Sequence, residues 1–226
     1  ASGEHGDDLL GMLVSLWDAG ELDDEGLRDE TISLFVAGLE TTANTLCFAM
    51  WELARQPELL ARLRAEADRV LPEGKAVDHD AIARLELAEQ VFRESLRMYP
   101  GGLWVPRIAL ADDTLGGRSI AAGTTVVVSI YNCHRDPARW AAPHEFRPER
   151  HALASAERKA WIPFGLGQHM CVGMRVALAE GPLVLARLAQ RFEFETTERT
   201  PIMRMSTALT TKSGIWLRMK ARRMLD

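Results

Sequence analysis

Cysteine is scarce in this 226-residue chain: Cys47, Cys133 and Cys171 stand far apart and odd in number. That excludes a disulfide framework and suits a reducing compartment, which makes the cytoplasm the expected location. Basic residues are not in excess. Lys and Arg total 27 against 32 acidic residues, a formal net charge of −5, so nothing electrostatic argues for nucleic acid as a partner. No internal repeat or low-complexity tract stands out. The first residues are acidic where a signal peptide needs a basic region, so no leader is expected. One apolar run, Thr31 to Trp51, is long enough to cross a bilayer. It has Glu40 at its centre beside Thr41, Thr42, Asn44 and Thr45, a costly set in lipid. A helix buried in the protein, and no membrane span, is expected.

Apolar residues make up 47% of the chain; a domain of this length buries roughly 70–75% of its unfolded surface, enough for one sizeable core. Asp7 to Trp17 reads as a short amphipathic helix, and Asp23, Asp24 and Glu25 supply the acidic first turn of a second that runs to about Arg55. Pro57 opens a third, with Leu59, Leu60, Leu63 and Ala67 on one face up to Leu71. After a polar loop, Pro72 to Asp80, another helix is expected to end near Tyr99, before Pro100-Gly-Gly102. Leu103–Leu110, Arg118–Ile120 and Thr125–Ile130 look like strands separated by glycines. Asn132 to Pro163 has no sustained period, and so long an irregular stretch is more often functional than decorative. A last helix covers about Val172 to Gln190, followed by strands around Phe192–Glu195 and Thr207–Met219. The fold class is mainly α, an α-rich α+β domain with small sheets.

Four segments carry chemistry. The first, Ala37-Gly38-Leu-Glu40-Thr41-Thr42, sits inside the apolar run. Buried glutamate is rare unless paired or functional, Gly38 weakens a helix, and Thr41 is placed to bond back to the Ala37 carbonyl. Together they suggest a small-ligand groove with an acid–alcohol proton relay; a plain core helix with satisfied threonines explains the same residues. The second is Glu94-Ser-Leu-Arg97 and the third Phe146-Arg-Pro148-Glu-Arg150. Arg150 is placed to fold back on the Glu94–Arg97 pair as a buried three-member network, though an i, i+3 pair is usually a solvated bridge. The fourth is Phe164-Gly-Leu-Gly-Gln-His-Met-Cys171-Val-Gly173. Glycines at 165 and 167 permit a tight turn with amides near the sulfur, at the positive end of a helix, which favours a thiolate metal ligand. An inert buried cysteine is the bland alternative. With Glu193 beyond it the loop imitates a dinucleotide fingerprint, but Met170 stands at the third glycine and Pro163 interrupts the strand. Zinc fails for want of a second ligand pair.

These four segments, in this order, resemble the cytochrome P-450 family of haem-thiolate monooxygenases. The match extends to Tyr131-Asn-Cys-His134-Arg-Asp136-Pro137 and to Cys171, Ala177 and Glu180, nearly the whole chain. The resemblance implies haem b, iron protoporphyrin IX, between the long helix and the last one, with Cys171 as axial thiolate and sole protein ligand to the metal. It implies haem contacts at Gly38, Arg107, Phe164, Gly165, His169, Gly173 and Ala177. Arg107 and His169 fall at propionate positions, His169 in place of the more usual arginine. Glu40 and Thr41 would deliver protons to dioxygen. Glu94, Arg97 and Arg150 would be a structural network, and His151, where phenylalanine is usual, is expected to be structural only. Val36, Ala37, Leu103, Trp104 and the Lys212–Gly214 turn would line a pocket for a small lipophilic substrate. A ferredoxin- or flavoprotein-type donor would bring electrons, docking on Arg158, Lys159 and Arg175 unless these are a solvated basic face. The chain resembles only the C-terminal half of the family fold, so 1–226 is expected to be one partial haem-binding domain. The function implied is monooxygenation of a lipophilic substrate. The alternatives are a haem-binding module or fragment without independent activity, and a helical domain without haem.

Overall fold

The computed structural model describes residues 6–72, 74, 76–152, 160–206 and 208–222. The chain divides between Thr41 and Thr42 into two compact units, and one long helix runs through the division. In the first unit, α1 (Leu9–Asp18) is opened by Asp8, whose carboxylate accepts from Gly11 N at 2.8 Å. The long helix α2 (Asp24–Arg55) begins with Asp24 and Glu25 in its first turn, where carboxylates meet the positive helix end. Trp17 Nε1 donates to Asp24 Oδ1 at 2.7 Å and joins the two helices.

The expectation that Thr31–Trp51 is buried throughout needs correction. Its C-terminal part is buried, at Thr45, Phe48 and Ala49. Its N-terminal part is not: Ile32, Phe35, Val36 and Leu39 are 53–67% exposed. The other helix described in the unit, α1, has ten residues, and that face of α2 stays exposed beside it. α2 is long and apolar enough to cross a membrane by length and composition, and Glu40 within it remains the counter-argument.

The second unit is built on α3 (Pro57–Val70), α5 (Glu86–Met98) and α7 (Met174–Arg191). Leu59, Leu60, Leu63 and Ala67 recur at helical spacing and pack with Ala88, Val91 and Phe92 and with Leu185, Ala186 and Ala189. The single helix expected between Asp80 and Tyr99 is in fact two, α4 (His79–Ala83) and α5. Asp78 caps the first through Ala81 N at 2.7 Å. Glu66, from α3, accepts from Leu87 N and Ala88 N at 2.7 and 2.9 Å, so two free amides at the start of α5 find partners 21 and 22 residues away. Local sequence carries no sign of that cap.

Between these helices lie β1 (Trp104–Ile108), β2 (Asp113–Leu115), β3 (Arg118–Ile120), β4 (Thr125–Ser129) and the short α6 (Ile130–Cys133). After α7 come β5 (Phe192–Thr196), β6 (Met203–Met205), β7 (Leu209–Thr211) and β8 (Leu217–Ala221). Among the described residues the strands form antiparallel pairs β1–β4, β2–β3, β5–β8 and β6–β7. Gly116 and Gly117 both take positive φ (57° and 78°) in the β2–β3 turn, the backbone that a two-residue hairpin demands. β2 and β6 were not expected from sequence, and three residues leave too short a period to read. Of the irregular stretch, the described residues include the end of α6 and a 3-10 turn, Pro148–His151; residues 153–159 lie outside the described residues.

Helices α5 and α7 meet at Gly181, where an added Cβ would overlap the buried Phe92 ring. Gly181→Ala is therefore expected to destabilise the second unit by about 1–3 kcal/mol despite alanine's better helix propensity. Urea unfolding measures it, and the double variant with Phe92→Leu should recover part of the loss.

Candidate functional site

The cysteine loop is shaped by its own backbone. Gly165 and Gly167 take φ of 75° and 78°, a region costly for residues with a Cβ. Gly165 N donates to Ile162 O at 3.1 Å, Met170 N to Gly167 O at 3.1 Å, and Cys171 N to Phe164 O at 2.9 Å. The loop thus closes on itself and delivers Cys171 just before Gly173, which caps α7. A Cβ at Gly173 would lie 3.8 Å from Cys171 Sγ, and one at Gly165 3.9 Å from Val105 on β1.

Cys171 is exposed, and so are the apolar side chains around it in sequence. Leu166, Met170, Val172 and Val176 are 64%, 45%, 81% and 60% exposed. Exposed apolar side chains on both sides of a free thiol in sequence leave surface whose burial would be favourable. Beside it is a cleft of about 130 Å³, lined by Val105 and Arg107 of β1, Val128 of β4, Ile162, Gly165 and Leu166. Arg107 and the cysteine loop, 58 positions apart at Gly165, are therefore brought to one cleft; Arg107 Nη1 rests on Pro106 O at 2.8 Å. These residues fit haem. A single sulfur suffices for a metal that arrives with its other ligands, and among the described residues no group of three or more His, Cys, Asp or Glu side chains offers a metal site of its own. Apolar side chains suit a flat macrocycle, and a guanidinium suits its carboxylates.

Phe164 and Ala177 are half-buried, and His169 and Arg175 are exposed. Leu103 is buried and its carbonyl accepts from Tyr131 N at 3.3 Å, while Trp104 is 46% exposed. In the first unit, Val36, Ala37, Gly38 and Glu40 are exposed on α2. Thr41 Oγ1 donates to Ala37 O at 2.8 Å, as its spacing predicts, and a Cβ at Gly38 would meet nothing within 4 Å. Arg158 and Lys159 lie outside the described residues.

The solvated reading of Glu94–Arg97 is overturned: both side chains are fully buried. Arg97 Nε and Nη2 meet the two Glu94 oxygens at 2.8 Å each. Its remaining donors reach His134 O and Pro143 O at 2.8 Å and Glu145 O at 3.1 Å, so all five guanidinium N–H groups are used. Arg150 Nε reaches Glu94 Oε1 at 3.1 Å and Arg147 N reaches it at 2.9 Å, while His151 Nε2 lies 2.8 Å from Oε2. Arg150 also bonds Ala141 O and Ala142 O at 2.9 and 3.3 Å, which helps hold Ala142 at φ 45°. An ion pair with this many partners is worth burying because they replace the water it loses.

Burial pushes the Glu94 carboxyl up, but hydrogen bonds from Arg97 and His151, the Arg97 charge and the Arg147 amide outweigh it and hold it below the usual range. Burial drives His134 down to about 3, helped by the Arg97 and Arg135 charges. Neutral His134 accepts from Ile162 N through Nε2 at 2.9 Å, so Nδ1 carries the proton toward Arg97 O at 3.1 Å. That bond ties α5 to the chain two residues before Phe164. Sequence reasoning placed His134 in a matched segment without a role. Its only sign is a histidine beside Arg135 and Asp136, which does not distinguish a buried clamp from a surface residue.

Both histidines bind protons more weakly folded than unfolded, since burial also lowers His151. Their stabilisation is full above the ordinary imidazole pKa of about 6.5 and is lost as pH falls toward about 3 for His134. Urea midpoints should decline steadily from pH 6.5 to 4; constant midpoints would contradict the assignment. Arg97→Met should cost about 3–5 kcal/mol in the same assay.

A sequence profile described as Cytochrome P450 matches residues 7–218. Cytochrome P450 3A17 of Cavia porcellus is 38% identical over 80% of this chain and 37% of its own length. Cytochrome P450 3A5 of Homo sapiens is 34% identical over 88% and 41%. Cyclooctat-9-en-7-ol 5-monooxygenase of Streptomyces melanosporofaciens is 36% identical over 88% and 44%. The chain spans about two fifths of the length of these curated relatives. With its thiol loop, its buried glutamate–arginine network and this match over most of its residues, the chain belongs to the cytochrome P450 family.

Proposed function

We propose that this chain provides the haem-thiolate half of a monooxygenase that inserts one atom of dioxygen into a small lipophilic substrate. The observation that carries the reading is the exposed Cys171 thiol, flanked in sequence by exposed apolar side chains, with Arg107 and the loop's Gly165 and Leu166 lining one cleft. Bound haem b supplies the redox chemistry that activates dioxygen. Cys171 gives the sulfur ligand, and Leu166, Val172 and Val176 exclude water around it. Arg107 and His169 hold the carboxylates. Gly38 leaves room on α2, and Glu40 with Thr41 Oγ1 holds and passes protons. Val36, Ala37, Leu103 and Trp104 present apolar surface to the substrate. Electrons come from a ferredoxin- or flavoprotein-type partner, with Arg175 in the docking surface. One relative is named a monooxygenase, which supports the reaction type. Three free thiols fit a cytoplasmic setting.

A second reading is favoured by Phe35 and Leu39, 67% and 63% exposed on α2, and by the length of the relatives. In it the chain binds haem but turns over substrate only with further polypeptide.

Haem-replete purified chain, reduced and treated with carbon monoxide, should show a strongly red-shifted Soret band that Cys171→Ser removes. No such band would end both readings. Where the band is present, substrate turnover separates them: on the first, product forms and Thr41→Ala lowers its rate at least about tenfold; on the second, the chain alone forms none.

A further inference from the structure

Glu94 accepts five donors, from Arg97 twice, Arg150, the Arg147 amide and His151. Of the side chains that supply them, His151 alone is neutral, and its side chain is 1% exposed. Its ring stands between those of Trp140 and Trp161, at centroid distances of 6.2 and 6.0 Å. Trp161 is held from behind by its Nε1 bond to Arg93 O at 3.1 Å, and its ring meets Phe164 edge-on at 5.8 Å. Phe164 O accepts the Cys171 amide at 2.9 Å. A continuous set of contacts thus runs from the buried carboxylate to the cysteine.

We infer that His151 is a positioning residue for the cysteine loop: by donating Nε2–H to Glu94 it fixes the ring against which Trp161 sets Phe164, and so Cys171. A phenylalanine would fill the same space but give Glu94 no donor. The inference deepens the proposed function, because it assumes that the Cys171 loop is the working site. It also makes the loop sensitive to pH. Glu94, Arg97 and Arg93 face the imidazole from α5, Arg150 lies beside it, and His134 is near. A proton on His151 adds a cation to a cluster that holds three arginines and one carboxylate, so it is disfavoured until pH falls below the ordinary imidazole range.

Hydrogen exchange of the chain without haem, resolved by peptide and corrected for intrinsic rates, tests this independently of haem binding. The readout is the protection of the Gly165, Met170 and Cys171 amides relative to those of α3. At pH 7, His151→Phe should lower loop protection about tenfold, the equivalent of a lost hydrogen bond to a charged group, and leave α3 unchanged. His151→Gln, which keeps a donor at the same reach, should recover most of it. Wild-type loop protection should fall as pH drops below the ordinary imidazole pKa of about 6.5, and more steeply than in either variant, where His134 alone contributes. Unchanged protection in His151→Phe, or a loss shared equally by α3, would overturn the inference. If His151→Phe does not fold, the comparison with His151→Gln decides, and a wild-type decline no steeper than that variant's overturns the inference. An absent Soret band would defeat the haem reading and leave this result standing.

Discussion

The second unit depends on a carboxylate that has no access to water. Glu94 is fully buried, and a lone ionised carboxyl in that position would cost several kcal/mol. Five donors offset the cost, and four of them come from charged or backbone groups that are anchored elsewhere. Helix α5, the 3-10 turn Pro148–His151 and the carbonyls of residues 134, 141, 142, 143 and 145 are fixed relative to one another as a consequence. A segment with little regular structure of its own is ordered by polar bonds where a sheet or helix would use its backbone ladder. Lysine cannot replace Arg97 here, since one ammonium offers three donors where five are in use.

The same economy shapes the cysteine loop. Its closure needs two positive-φ glycines and three backbone hydrogen bonds, and its anchorage to α5 runs through Trp161 and His134. Little of this loop is apolar core. Its apolar side chains face outward instead, which is unfavourable for the chain by itself and favourable once a flat apolar group covers them. Rigid support beneath and an uncovered apolar rim above are the arrangement a preorganised binding surface needs.

Much of this was legible in the sequence, for reasons that differ by element. Helices α2, α3 and α7 follow their apolar spacing, and the first two also their local start signals, the acidic residues 23–25 and Pro57. The Thr41 back-bond to Ala37 is equally local. Arg150 meeting Glu94 spans 56 positions; the residues allowed that fold-back, and the resemblance raised it above a solvated pair. What stayed hidden was set by distant partners. Glu66 breaks a helix 21 residues away. His134 acquires its tautomer from Arg97 and Ile162. His151, taken as a structural substitute for phenylalanine, proves to be a donor because Glu94 lies 2.8 Å from its Nε2. The exposure of Phe35 and Leu39 was missed because an apolar run states only that burial would be favourable, and not that a covering surface is at hand.

That exposure bears on which functional reading is the stronger. An apolar helix face that stays in water gains nothing from its side chains, and Glu40 and Thr41 lie on the same helix as that face. A proton relay works in a site from which bulk water is excluded, because otherwise solvent supplies and removes protons without direction. Thr41 is half-buried and Glu40 exposed, so a relay through them would be open to solvent. The cysteine loop has no such dependence, since its closure and anchorage are complete within the second unit. On the proposed reading, haem ligation and proton delivery would therefore differ in what they require. The first needs only residues already held in place, whereas the second needs the α2 face to be covered.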